Sequence, residues 1–573
     1  MTTDSANLPP SSAADRADGH PRFADAPLAR LAQASGSLAA WRQALAGARD
    51  EAAFTALMAG VRGDFSVGVT LPDGRAFLAV DRFAVHSMCW RVADGRLRFA
   101  PRADELAAAG DAAIDPQAVF DYLFFHCIPS PRTIFSGVQR VPPGHCALWD
   151  GRQMKVWRYW TPQFQEPPGP VSFDGLKAEF RRHLQQAVAE RLDGSKAACF
   201  LSGGTDSSTV AGLIGQVSGR PAATYSIGFE AEGYDEMAFA RIAAKAFGTE
   251  HHEYYVTPAD LVKSVAAVAA SYDQPFGNSS ALPAYYCALQ ARGDGVTRML
   301  AGDGGDELFG GNSRYAKQRV FDWYAHVPAG LRRGLMEPFF QLGAVARTPL
   351  LKKGSSYIEQ ARVPMPDRLQ MYNLLLRLGT QEVLTPAFLS RVNPRGPLEH
   401  QRGVWNEVGP EASTLNRTLA YDWRYTLGES DLPKVCGTTR LAGLQVAFPM
   451  LDDALLDFSL RLPTEYKLKG LKLRWFFKEA LRGFLPDEII AKKKQGFGLP
   501  FGVWLTRHPG LMTLARDSLA SLAPRGIVQP AFVQELFERR LAEHPSYYGE
   551  MVWILMMLEQ WLQGHAPGLR ISD

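Results

Sequence analysis

The sequence predicts a mixed α/β protein in which a small strand-rich domain precedes a larger domain built on a parallel sheet, with a helical part completing the C-terminal half. Three observations carry this. Hydrophobic residues make up 46% and charged residues 21% of the 573 positions, near the averages for soluble globular proteins, so wholesale disorder and fibrous architectures are excluded. Between residues 60 and 160, alternating apolar and polar positions are punctuated by turn residues. Beyond residue 173, short apolar runs alternate with helical segments, the pattern of a parallel sheet covered on both faces.

Each element follows in order. Residues 1–27, rich in Ser, Ala, Asp and Pro, read as a disordered leader. Residues 28–160 form the small domain. Leu28, Leu31, Leu38, Trp41, Leu45, Phe54 and Leu57 recur roughly at helical spacing, and the period then changes to that of a strand. Residues 63–69 and 76–80, separated by Pro72-Asp73-Gly74, predict a β-hairpin, and residues 96–100 another strand. Residues 161–172, with Pro162, Pro167, Pro168 and Pro170, form a linker. The second domain, 173–573, opens with a helix over 173–192, the apolar run 197–201, a Gly-Ser-Asp turn and a helix from Ser207 to Val217. Residues 222–227 and 296–301 predict further buried strands, and the chain beyond 315 reads as mostly helical.

Charge and cysteine usage narrow the partners. Lys+Arg of 62 against Asp+Glu of 59 gives a net charge of +3, no electrostatic footprint for nucleic acid or an anionic membrane. The 6 cysteines lack C-x-x-C spacing, so neither a zinc ribbon nor a disulfide framework is indicated. The N-terminal residues offer no secretory signal, and the densest apolar run, Met551 to Leu558, stops at Glu559, too short to span a bilayer. A soluble, cytoplasmic protein is expected, without nucleic-acid or membrane partners and with a homodimer left open.

Two glycine-rich segments carry the chemistry. Leu201-Ser202-Gly203-Gly204-Thr205-Asp206-Ser207-Ser208 sits where a buried strand turns into a helix. Glycines let the backbone approach a phosphate, serines add donors, and a helix N-terminus supplies free N–H groups and a positive dipole end. Asp206 would repel phosphate unless a cation lies between them, and Mg2+ is the natural candidate. Ala301-Gly302-Asp303-Gly304-Gly305-Asp306-Glu307 again follows a predicted strand, so both segments should meet beyond the C-terminal strand ends, with Asp306 sharing the metal with Asp206. The adjacent His251 and His252 should point to opposite faces of a strand rather than bind one metal.

Ser-Gly-Gly-x-Asp-Ser followed by Gly-Asp-Gly-Gly-Asp-Glu-Leu-Phe-Gly-Gly resembles the synthetase domain of glutamine-dependent asparagine synthetases, within the ATP-pyrophosphatase superfamily. The likeness runs from Phe173 to Leu562 and includes Tyr234-Asp235-Glu236, Ala240-Arg241 and Gly248 to Glu253. It implies an adenine nucleotide alpha hydrolase-like ligase domain behind an Ntn-amidotransferase-like domain. It also implies a two-step reaction in which ATP activates a carboxylate as an acyl-adenylate and ammonia or an amine then forms the amide. By family position, Phe200 and Ile227 line the adenosine side, Leu201 belongs to the ATP-binding set, and Ala301 and Gly302 contact the nucleotide. Ser202, Gly203, Gly204, Asp206 and Ser207 hold pyrophosphate, Asp303 bears on adenylate formation, and Lys494 in Lys492-Lys493-Lys494-Gln495-Gly496-Phe497 reaches the phosphates.

Two departures stand out. Glutamine-using relatives need an N-terminal Cys nucleophile, yet residue 2 is Thr and the first cysteine is Cys89. Gly63-Asp64-Phe65, Asp81 and Pro142-Pro143-Gly144 survive from that domain, so a degenerate amidotransferase is expected, with Asp81 at a position that binds glutamine in relatives. The family also carries Lys-Val-Asp-Arg where this chain has Lys434-Val435-Cys436-Gly437, which puts aspartate in doubt as the acceptor. β-Lactam synthetases and lasso-peptide cyclases share the architecture without using glutamine. The former carry Tyr where this chain has Asp303, which leaves a cyclase or another ligase acting on a peptide or sugar acid as the alternative.

Overall fold

The computed structural model describes residues 14–108, 113–169, 171–325, 327–341, 349–493 and 498–570. The first domain is built on an antiparallel sheet of β1 (Arg16–Gly19), β2 (Phe65–Thr70), β3 (Ala76–Val80), β7 (His145–Trp149) and β8 (Met154–Arg158). A second sheet, in the order β5–β4–β6, comprises β4 (Cys89–Ala93), β5 (Arg96–Ala100) and β6 (Val138–Arg140). The hairpin expected from Pro72-Asp73-Gly74 is β2–β3, in register Ser66↔Val80. Helices α1 (Ala26–Ser35), α2 (Ser37–Ala46) and α3 (Glu51–Ala59) cover one face, seating Trp41 and Phe54 against Phe65 and Phe77 in a closed core.

The disordered leader over 1–27 is corrected from residue 16 onward. β1 pairs with β2 in register Arg16↔Gly68, Arg22–Phe23 pairs with Val61–Arg62, and Asp25 caps α1 through Leu28 N at 2.9 Å. Composition missed this because β1 is a polar edge strand. It is held by its ladder and by Asp15, which accepts from Thr70 N at 2.8 Å, not by apolar residues of its own.

The described residues of the linker carry no helix or strand, and Gln165 N donates to Leu460 O at 3.0 Å as the chain crosses the second domain. Ser172 caps α5 (Phe173–Ala189) by accepting from Gly175 N at 3.1 Å. The parallel sheet runs β11–β10–β9–β12–β13, from β9 (Ala198–Phe200), β10 (Ala223–Phe229), β11 (Glu250–Val256), β12 (Arg298–Leu300) and β13 (Gln445–Ala447). The helices that matter below are α6 (Thr205–Ser218), α7 (Met237–Phe247), α8 (Pro258–Ser271), α9 (Ala281–Gly293), α10 (Gly305–Phe309), α11 (Leu432–Leu441) and α12 (Pro545–His565). From β9 the chain winds outward through β10 and β11, then returns to lay β12 on the other side of β9. The order therefore reverses between β9 and β12, and the loops leaving these strands open a crevice there.

The apolar run near the C-terminus is a core helix. Met551 to Leu558 of α12 are at most 1% exposed. Trp553 and Trp561 donate to the carbonyls of Gly277 and Tyr272, each at 3.0 Å, and Tyr122 of the first domain, on α4 (Pro116–Phe125), donates to Ile554 O at 2.8 Å. Both domains thus share one apolar cluster. Among the described residues no helix is long and apolar enough to cross a membrane.

Candidate active site at the sheet switch point

The loop after β9 turns through Gly203 at φ +67°, where a Cβ would stand 2.6 Å from Phe239 Cβ of α7; only glycine fits this approach. It delivers the chain to α6, whose N-terminus has no side-chain cap, so its first N–H groups remain available to a ligand. Ser207 Oγ lies 3.0 Å from Ser202 Oγ and accepts from Ser202 N at 3.1 Å, bracing the loop. The loop after β12 packs against the first, so that a Cβ on Gly302 would lie 2.8 Å from Ser207 N.

The two aspartates expected to share a metal do converge, but the cation between them is Arg474. Its Nη1 donates to Asp206 Oδ2 at 2.6 Å, to Asp306 Oδ1 at 2.8 Å and to Thr205 Oγ1 at 2.8 Å, and its Nη2 also binds Asp206. The guanidinium lies over the Phe477 ring at 3.8 Å. Glycines make room for this cluster: a Cβ on Gly305 would lie 3.0 Å from Arg474 Nη2, and one on Gly311 2.6 Å from Arg474 Cδ. Among the described residues no group of three or more His, Cys, Asp and Glu could hold a metal by itself. Two carboxylates beside the uncapped start of α6 nevertheless suit Mg2+, which takes one or two carboxylates and fills its remaining positions with other oxygens.

Across the crevice, Lys434 of α11 lies 3.6 Å from Asp303 Oδ1 and 2.9 Å from Asp431 Oδ1. Burial pushes the Asp303 carboxyl above its ordinary range, with Lys434 opposing that rise and Asp431 adding to it. The lysine is held well above its ordinary range by Asp431 and Asp303 in spite of burial. From the basic loop, Lys492 reaches Glu236 at 3.0 Å and the Gly203 carbonyl at 3.4 Å, while Lys494 lies outside the described residues. Phe200, Leu201, Ser202, Gly204, Asp206, Ser207, Ile227, Gly302, Asp303 and Asp306 all line one cleft of about 1140 Å³. That exceeds an ordinary small-ligand pocket and leaves room for a second substrate beside a nucleotide. Gly203 and Ala301 stand behind the wall, Ala301 donating to Ala447 O at 2.9 Å. Sequence reasoning missed Arg474, and in the basic loop it singled out Lys494 rather than the neighbouring Lys492. Arg474 sits in a basic-apolar stretch that looks like a surface hairpin, and its partners are 268 and 168 residues away.

The two adjacent histidines face different neighbours, as expected. His251 contacts Thr224 Oγ1 at 3.0 Å while His252 stacks on Tyr225 at 4.8 Å, so the pair does not converge. In the first domain, the Asp81 carboxylate accepts from the N–H groups of Phe65, Phe83 and Val85 at 3.1, 2.8 and 3.0 Å. The cavity beside it, of about 20 Å³, has room for about one water. In the segment that departs from the family, Gly437 faces Tyr272: a Cβ there would lie 2.8 Å from the ring Cζ. Tyr272 also stacks on Phe276 at 4.6 Å and donates to Lys434 O at 3.3 Å.

The family model of asparagine synthase matches residues 179–563, and that of the glutamine amidotransferase domain matches residues 51–160. The chain belongs to the asparagine synthase family. It is 24% identical over 487 residues to asparagine synthetase [glutamine-hydrolyzing] 1 of Bacillus subtilis (strain 168), covering 84% of this chain and 74% of that one. A putative asparagine synthetase [glutamine-hydrolyzing] of Mycobacterium tuberculosis is 26% identical over 466 residues, 79% of this chain and 68% of that one. Amidase chry2 of Gibberella zeae is 25% identical over 499 residues, 78% of this chain and 70% of that one. The asparagine synthase match spans both glycine-rich loops, Lys434 and Arg474, so the crevice at the switch point lies inside the ligase domain, and ATP-dependent amide ligation is the activity of the family.

Proposed function

We propose that this chain activates a carboxylate with ATP as an acyl-adenylate and passes the acyl group to ammonia or an amine. The observation that carries this is the meeting of Asp206 and Asp306 beside the uncapped start of α6, at the wall of a cleft large enough for nucleotide and acceptor. In the first step a carboxylate oxygen of the acceptor bonds to the α-phosphorus and the bond to pyrophosphate breaks. In the second the nitrogen bonds to the acyl carbon, a proton leaves the nitrogen, and AMP departs with the carboxylate oxygen. The Ser202–Ser207 turn and α6 start bind the departing pyrophosphate through backbone and hydroxyl donors, which stabilises charge that grows in the transition state. Phe200, Leu201 and Ile227 pack the adenosine, with Ala301 and Gly302 along its edge. Asp206 and Asp306 would hold Mg2+, which neutralises phosphate charge when bound. Lys492, and Lys494 by family position, add point charges to the phosphate side, and Asp303, held by Lys434, bears on the acyl side.

Free ammonia or a substrate amine is the nitrogen source in this reading. The Asp81 carboxylate is already taken up by three backbone N–H groups, the adjoining cavity has no room for an amino acid, and burial raises the described thiols, Cys199 and Cys436 to about 12. A second reading, a cyclase or other ligase acting on a peptide, sugar acid or other secondary metabolite, is favoured by Gly437 and Tyr272, which leave no space for an arginine that would pair an amino-acid carboxylate. ATP–pyrophosphate exchange across a panel of carboxylates, followed by amide formation with ammonia against glutamine, tests both. Exchange with aspartate supports the first reading, and exchange only with larger acids the second. Exchange with none of them removes the ligase proposal, and glutamate release from glutamine would overturn the nitrogen assignment.

A further inference from the structure

We infer that Arg474 is a built-in counter-cation that occupies the Asp206–Asp306 pair in the nucleotide-free protein and yields it to a divalent ion only when nucleotide phosphates take the guanidinium in exchange. The inference rests on the reading of the cleft as an ATP site and adds the order in which its cations arrive.

The side chain is 5% exposed and makes hydrogen bonds to both carboxylates and to Thr205 Oγ1 from one planar fork. Its position is enforced from several sides. Phe477 lies under the guanidinium, the Arg474 N–H is tied to Gly310 O at 3.1 Å, and the backbone adopts φ +53°, a left-handed conformation that a side chain bearing a Cβ seldom takes. Gly305 and Gly311 leave out the methyl groups that would otherwise stand against the guanidinium and the carboxylates. One positive charge on two carboxylates leaves an excess negative charge, which favours a divalent ion.

A divalent ion arriving alone must expel a guanidinium that cannot deprotonate, stranding it unpaired in a buried place. A nucleotide alters that balance, because Arg474 lines the same cleft as the Ser202–Ser207 turn and phosphate oxygens there accept the same fork. Metal and nucleotide should therefore bind with positive coupling, each raising the affinity of the other.

Mn2+ binding to the full chain without nucleotide, followed by electron paramagnetic resonance, tests this with no turnover. Wild type should bind Mn2+ weakly, and Arg474→Gln should bind it roughly tenfold more tightly, because the competing charge is gone. In Asp206→Asn/Arg474→Gln the gain should vanish. Circular dichroism checks the fold. If Arg474→Gln does not fold, Arg474→Lys, which keeps the charge but loses the fork, should show a smaller gain of the same sign. Tight Mn2+ binding by nucleotide-free wild type, or no gain in a folded variant, overturns the inference. Failure of wild type to bind Mn2+ together with a non-hydrolysable ATP analogue would instead remove the ATP reading of the cleft.

Discussion

Arg140 of β6 donates to Glu429 of the ligase domain at 2.6 Å, and the same carboxylate accepts from Ser130 N at 3.0 Å and Ser130 Oγ at 2.6 Å. The Glu429 side chain is 4% exposed, so this network joins the domains where water does not compete. Two residues further on, Asp431 begins the charge chain to Lys434 and Asp303. Docking of the first domain and placement of the Lys434–Asp303 pair are therefore parts of one structure.

Removing one partner of such a pair leaves a buried charge, so Glu429→Ala should lower the stability of the folded chain by about 3 kcal/mol in chemical denaturation. The double substitution Arg140→Met/Glu429→Leu should recover much of that loss. Burial acts to raise the Glu429 carboxyl, but Arg140, Arg424 and Ser130 outweigh it and hold it below its ordinary 4.5. Its contribution is therefore present above pH 4.5 and fades as the pH falls through the lowered value, a fade that Glu429→Ala should lack.

Asp206→Ala should reduce ATP–pyrophosphate exchange by roughly a hundredfold or more while far-ultraviolet circular dichroism stays unchanged. Arg474 keeps Asp306 as a partner in that variant, so the loop has no reason to collapse. Near-normal exchange in the folded variant would remove Asp206 from the phosphate side of the site.

Gly311→Ala separates backbone freedom from space. The added methyl would stand 2.6 Å from Arg474 Cδ, and closer still to Asp306 Oδ1. The carboxylate and the arginine must then part. Exchange activity should fall roughly as far as in Asp206→Ala, with a loss of about 1–3 kcal/mol in stability. An active, undiminished Gly311→Ala would mean that the cluster tolerates a separation the geometry forbids.

Lys467 supplies a pH-dependent handle on the linker. Its Nζ donates to Asn416 Oδ1 at 3.0 Å beneath Phe164, and burial pushes its pKa down to about 7 from 10.5. The folded chain binds fewer protons than the unfolded one between those values. Stability from this group is thus complete above 10.5 and lost as the pH falls through about 7. Lys467→Met should raise Tm at neutral pH and flatten the rise in Tm between pH 7 and pH 9.5 seen by differential scanning calorimetry.

Much of this architecture is legible in the chain because its signals are local. The hairpin at Pro72-Asp73-Gly74 declares itself through alternation and a turn, and the Ser202–Ser207 turn through its glycines. Elements made by distant pairing do not. β13 is three residues long and joins a partner 147 positions earlier, and β1 is polar and held by its ladder and by Asp15. The same divide runs through the site: Asp206, Asp303 and Asp306 lie in motifs, whereas Arg474 acquires meaning only when folding brings it between two of them.

Tyr272 has a consequence for anyone placing a side chain at position 437. Its ring fills the space a side chain at 437 would need, while its stacking on Phe276 and its bond to the Lys434 carbonyl fasten it in place. Saturation of position 437 alone should return little but glycine. A route toward an arginine there must first shorten Tyr272, and that step exacts a penalty in the core before the new side chain can be seated. The order of substitutions is thus imposed by packing, and libraries that vary 272 and 437 together will reach side chains at 437 that one-site libraries cannot.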